Sequence, residues 1–121
     1  MPAQSSTKLR IQFRMRIYRD GGTAVGPGKI ALLEAVVRTG SITAAAQEMG
    51  MSYRRAWLLI HELNRSLRRP AVATAVGGAR GGGTTVTETG HEIIRRYRSV
   101  EAAAERAAAA DLAALKRMLA P

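Results

Sequence analysis

Residues 40–66, GSITAAAQEMGMSYRRAWLLIHELNRS, followed by residues 74–90, TAVGGARGGGTTVTETG, decide how this chain folds. The first stretch reads as two short helices joined by a tight turn, the second as a glycine-rich loop with one arginine, Arg80, at its tip. Helices that cross closely need small residues at the crossing and a turn that tolerates a left-handed backbone. Ala44, Ala45 and Ala46 meet the first demand, and Gly50 the second. Ser41 and Ser52 precede the two helical runs, where a hydroxyl can accept a bond from an orphan amide of the first turn. From Ser52 to Leu67 the residues Ala56, Leu59, Ile60, Leu63 and Leu67 fall on one stripe, which predicts an amphipathic helix that Pro70 ends.

Working outward, Leu9, Ile11, Phe13, Met15 and Ile17 alternate with Arg10, Gln12, Arg14 and Arg16. This period of two predicts a half-buried strand from Leu9 to Ile17. Asp20-Gly21-Gly22 and Gly26-Pro27-Gly28 read as loop, after which Ile30, Leu33, Val36 and Val37 recur at helical spacing up to Thr39, with Gly40 as a stop. AVATAV (71–76) and TTVT (84–87) are short β-prone runs on either side of GGARGGG, a hairpin with a long tip. From about Thr89 the chain turns helical almost to Pro121, a helix of roughly 30 residues and about 45 Å. The alanine-rich stretch 102–114 within it favours helix by intrinsic propensity. The fold class is therefore mainly α with a small β-sheet: a winged helix-turn-helix in residues 1–88 and a long C-terminal dimerisation helix in residues 89–121.

At 121 residues the chain has room for one domain with an extended arm. Its 19 Lys+Arg against 9 Asp+Glu give a net charge of +10, which favours polyanionic partners. With no cysteine and two histidines thirty residues apart, neither a disulfide framework nor a metal cluster is expected, and no cofactor is assigned. No apolar run is long enough to span a bilayer or to serve as a signal peptide, so no membrane partner and a cytoplasmic location are expected. Nine acids and two histidines at these spacings assemble no catalytic set, and an enzyme is not expected.

Counting 100° per residue from Ala56, the outer face of the second helix holds Arg54, Leu58, His61 and Arg65, with Tyr53, Arg55 and Trp57 on its flanks. Its first turn carries the candidate base readers Tyr53, Arg54 and Arg55, since arginine can grip guanine O6 and N7 with two donors. Arginines early in a surface helix are often merely solvated, and a lone tryptophan there often packs on a neighbouring element. The glycine-rich loop that follows gives the arginines their context. Its flexibility would let Arg80, flanked by Gly78, Gly81 and Gly82, enter a narrow minor groove. A phosphate-binding Walker loop is excluded, because no lysine followed by Ser or Thr comes after the glycines. With Ser41, Thr43 and Ser52 at the helix starts, these residues make up the surface assigned to double-stranded DNA.

The run GSITAAAQEMGMSYRRAW with ELN behind it, then GGARGGG and TVTETG, resembles the N-terminal DNA-binding domain of the molybdate-responsive ModE regulators, and more distantly the winged helix of LysR-type regulators. The resemblance covers roughly residues 8 to 100, and SYRRAW (52–57) and the wing glycines 77–83 are its most specific parts. It implies a recognition helix beginning at Ser52, a DNA-contacting wing at Gly77 to Gly83, and a dimer. Full-length ModE proteins continue into molybdate-binding domains. This chain ends at Pro121, so molybdate sensing by that route is not expected of it.

Ile94, Tyr97, Val100, Ala104, Ala108, Leu112, Leu115 and Leu119 follow steps of three and four along the last helix. A helix of that length outruns its own small domain, so a second copy is expected to cover it; the alternative is a helix folded back on its own domain. A homodimer would present two recognition helices to a palindromic operator. The expected function is a homodimeric, sequence-specific transcriptional regulator without its own effector domain. The competing readings are a non-specific nucleoid-associated protein and the DNA-binding partner of a separate sensor protein.

Overall fold

The computed structural model describes residues 8–74 and 83–121. Asp20 and Gly21 turn the chain back on itself with φ of 49° and 82°, the two positive values that a two-residue type I′ turn requires. They join β1 (Ile17–Arg19) to β2 (Gly22–Val25) in an antiparallel pair. The register slips between Ile17 and Tyr18, leaving Ala24 without a partner, and Ala24 and Val25 are both buried. Two expectations are corrected here. Residues 8–16 form no strand, and the stretch read as loop at 20–22 is the hairpin turn and the start of β2. The alternation survives as burial only in its middle, with Ile11, Phe13 and Met15 half-buried and Gln12, Arg14 and Arg16 exposed, while Leu9 and Ile17 at its ends are exposed as well. What residues 8–16 lack, among the described residues, is a ladder partner for their amides and carbonyls.

Helix α1 (Pro27–Thr39) starts on a proline, whose missing N–H is harmless at the first helical position, and ends where Gly40 adopts φ 72°. Helix α2 (Ile42–Met49) is capped by Ser41 Oγ, which accepts from the Ala44 amide at 3.0 Å, and stops at Gly50 with φ 69°. Helix α3 (Tyr53–Ser66) is capped by Ser52 Oγ, which accepts from the Arg55 amide at 3.1 Å. Ile30, Leu32, Leu33 and Val36 of α1 pack with Ala45 and Ala46 of α2 and with Ala56, Ile60 and Leu63 of α3. Ala45 and Ala56 have no exposed surface at all, as the close crossing requires. Arg38 and Glu48 pair across the outer ends of α1 and α2.

After α3 come β3 (Val72–Thr74) and β4 (Thr84–Val86), antiparallel with Val72 opposite Val86 and Thr74 opposite Thr84. The expected tip, with Gly78, Arg80, Gly81 and Gly82, lies outside the described residues. Thr87, expected at the end of the second strand, instead caps the next helix. Its Oγ1 accepts from the Gly90 amide at 3.1 Å and donates to Pro70 O at 2.6 Å.

The expected single helix is two, α4 (Glu88–Ala107) and α5 (Ala109–Met118), interrupted at Ala108 with φ −96° and ψ 8°. Gly90 and Tyr97 are buried and Ile93 and Ile94 pack against the core, so the first turns of α4 belong to the domain. The Tyr97 hydroxyl donates to Met15 O at 2.7 Å, which fastens the N-terminal arm to α4. Arg98 forks onto Glu34 of α1, with Nε to Oε2 at 2.9 Å and Nη2 to Oε1 at 2.5 Å, and its Nη1 reaches Glu101 at 2.7 Å. Past this point Val100, Leu115, Met118 and Leu119 are exposed.

Candidate nucleic-acid interface

The buried stripe of α3 dictates its other face. With Ala56, Ile60 and Leu63 turned inward, Tyr53, Arg54, Arg55, Trp57, Leu58, His61 and Arg65 are all exposed. The indole of Trp57 stacks on the imidazole of His61 one turn later, with centroids 5.0 Å apart and planes 7° from parallel. Trp57 thus packs along its own helix, yet keeps 44 % of its surface in solvent. The pair forms a flat, stiff, partly apolar plate on the face that carries the arginines.

Beside that plate lies a cleft of about 220 Å³, lined by Gly40, Ser41, Ile42 and Thr43 from the start of α2, Tyr53 and Trp57 from α3, and Thr74, Gly83 and Thr84 from the hairpin base. Four residues assigned to DNA from the sequence, Ser41, Thr43, Tyr53 and Trp57, meet here. Thr74 and Thr84 were missed. Their signal was only that of two β-prone runs, and it takes the antiparallel register to set them opposite each other at the cleft. The lining offers five hydroxyls and no carboxylate, and it opens at the positive end of α2, which suits a phosphodiester. Ser52, Arg54, Arg55, Leu58, His61 and Arg65 do not line it.

Arg65 lies at the far end of α3, in a larger cleft with Arg19, Asp20, Lys29 and Glu62. Two of these five charges, those of Lys29 and Glu62, answer one another. Lys29, 8 % exposed, donates from Nζ to Thr23 O at 2.5 Å and lies 3.4 Å from Glu62 Oε1. No local pattern signals that Lys29 is buried, since its partners Thr23 and Glu62 come from β2 and α3. Among the described residues there is no group of three or more His, Cys, Asp or Glu side chains placed to hold a metal, and no helix is long and apolar enough to cross a membrane.

A short capped helix, a tight glycine turn, a second helix with an arginine-led exposed face and a β-hairpin set against it define a DNA-binding domain of the winged helix-turn-helix class. Residues 28–91 match the family described as bacterial regulatory helix-turn-helix protein, lysR family, and the chain belongs to that family of DNA-binding regulators. It is 41 % identical over 95 residues to the molybdenum transport protein ModE of Azotobacter vinelandii, an alignment covering 78 % of this chain and 35 % of that one. It is 44 % identical over 81 residues to the molybdenum-pterin-binding protein MopB of Rhodobacter capsulatus, covering 67 % of this chain and 30 % of MopB. Against the DNA-binding transcriptional dual regulator ModE of Escherichia coli (strain K12) identity is 32 % over 94 residues, covering 78 % and 34 %. The chain spans about a third of the length of the curated relatives it matches.

Proposed function

We propose that this chain binds a palindromic operator as a homodimer and reads it in sequence-specific fashion, with α3 in the major groove and the β3–β4 hairpin as a wing on the flanking backbone. The observation that carries this is the convergence of α2, α3 and the hairpin base on one hydroxyl-lined cleft, while Arg54 and Arg55 stand exposed in the first turn of α3 outside its lining. A backbone phosphate held there would set the register of the helix, and the two arginines would then read bases. Ser52, Leu58, His61 and Arg65 extend the proposed surface along α3, and the expected contacts from Gly78, Arg80, Gly81 and Gly82 lie outside the described residues.

The homodimer is supported by the apolar residues left exposed on the C-terminal helices, Val100, Leu115 and Leu119, with Ala104, Ala108 and Leu112 half-buried between them. Ile94 and Tyr97, expected in that interface, are instead taken up by the domain's own core, Ile94 half-buried against it and Tyr97 buried. Light scattering on the pure chain should give twice the 13.0 kDa monomer mass at micromolar concentration. A monomer would sink the homodimer and favour a separate sensor protein as partner.

Selection of bound genomic fragments by the purified protein tests the rest. One short palindrome that survives competitor DNA is the expected outcome, and even coverage of all fragments would favour the non-specific nucleoid reading instead. On the selected site Arg54→Ala or Arg55→Ala should relax specificity at particular base pairs by roughly 1–3 kcal/mol each. The molybdenum in the relatives' names makes molybdate the first effector to add to such a selection.

A further inference from the structure

We propose that Asn64 is a positioning residue that sets the wing against the recognition helix. The proposal rests on the DNA-reading role of α3 and the hairpin argued above. Asn64 stands in the last turn of α3 and uses both ends of its amide on the chain that follows. Oδ1 accepts from the amides of Ala71 at 2.8 Å and Val72 at 3.2 Å, while Nδ2 donates to Val72 O at 3.0 Å. Only this orientation of the amide satisfies all three bonds, because the flipped one would face two N–H donors with an NH₂.

An asparagine in an ordinary turn bonds to backbone within two or three residues of itself. Asn64 instead reaches seven and eight residues ahead, past the end of its helix and onto the first residue of β3. Because Val72 pairs with Val86, fixing Val72 fixes the root of the β3–β4 ladder. From the other side the Thr87 amide donates to Ala71 O at 2.9 Å. Ala71 and Val72 are 0 % and 4 % exposed, so water cannot replace what Asn64 supplies. Asn64 of the reading helix on one side and Thr87 on the other thereby hold the root from which the hairpin leaves the domain.

The experiment compares the full chain with Asn64→Ala and Asn64→Asp, by amide hydrogen exchange and by hydroxyl-radical footprinting on the DNA that the parent protein selects. In Asn64→Ala the amides of Val72 and of β4 should exchange about tenfold faster, while those of α1 and the middle of α3 keep the parent rate. On DNA the same variant should lose protection at the flanks of the site and keep it over the bases under α3, with affinity down about tenfold. Asn64→Asp retains the acceptor for the Ala71 and Val72 amides but sets an anionic oxygen against Val72 O in place of the donor, so the exchange of Val72 should rise less than in Asn64→Ala. It also carries the comparison should the alanine variant fail to fold.

Parent-like exchange in β3 and β4 would overturn the proposal, whatever the DNA result. So would an even loss of protection across the whole site, which is what a merely destabilised domain would give. Failure of the parent to select any DNA would reject the reading of α3 as a DNA helix, and the exchange comparison would still decide whether Asn64 holds the hairpin.

Discussion

A methyl group at Gly90 would run into the carbonyl oxygen of Ala71 and lie 2.6 Å from Val86 Cγ1, so the start of α4 can approach the hairpin root only without a side chain there. Gly90→Ala should cost about 1–3 kcal/mol by overpacking, seen as a lower denaturant midpoint with an unchanged slope. Gly50 is glycine for a different reason. It has open space around its Cβ position but a φ of 69°, so Gly50→Ala should cost about 1–2 kcal/mol from the backbone alone. Both glycines are visible in the sequence, yet only Gly50 could be explained there. Its role is local, at the end of a helix, whereas that of Gly90 depends on a strand root nineteen residues earlier coming into contact. Asn64 and Lys29 are of the Gly90 kind, because the partners that define them are supplied by other elements.

Among the elements, the arm of residues 8–16 shows how far a pattern carries. Its alternation of apolar and basic residues correctly placed Ile11, Phe13 and Met15 on the protein side. A strand needs hydrogen-bonding partners as well, and periodicity is silent about them. The arm is tied instead by Tyr97, whose hydroxyl is held above its ordinary range mainly by burial and next by the charge of Glu101. A raised folded value means that folding favours the neutral phenol. The contribution is complete below the unfolded value near 10 and is lost as pH rises through the folded one. Thermal stability of the parent should therefore fall more steeply above pH 10 than that of Tyr97→Phe. The variant itself should start about 1 kcal/mol lower at neutral pH, through loss of the bond to Met15 O. The helix-turn-helix was legible for the opposite reason. Serine caps for α2 and α3, glycine stops for α1 and α2 and apolar stripes are written within each segment, and the observed termini follow them except at the start of α1, where Pro27 and Gly28, expected in a loop, are its first two residues.

For the molecule as a whole, the net charge of +10 announced a polyanionic partner before any element was placed. If DNA is that partner through several arginine and lysine contacts to phosphate, the logarithm of affinity should fall linearly with the logarithm of salt. The slope should flatten by about one unit for each phosphate-contacting cation replaced. Arg98, by contrast, is taken up inside the chain. Its guanidinium is held strongly protonated by hydrogen bonds to Glu34 and Glu101, and it joins α4 to α1. Arg98→Ala should thus cost about 1 kcal/mol of stability, a modest figure because the pair is partly solvated, and should leave the salt slope unchanged.

The sequence by itself determined the class of this protein. Period, capping residues and glycine stops are properties of neighbours along the chain, and they specify the three helices, the hairpin after them and the face of α3 left to solvent. Tertiary structure alone decided how these parts meet. It set Thr74 and Thr84 beside Ser41 and Tyr53, tied the arm to α4 through the Tyr97 hydroxyl and put Asn64 at the root of the hairpin. Each of these depends on two segments distant in sequence satisfying one another's hydrogen bonds or filling one another's space, and no local pattern carries that information.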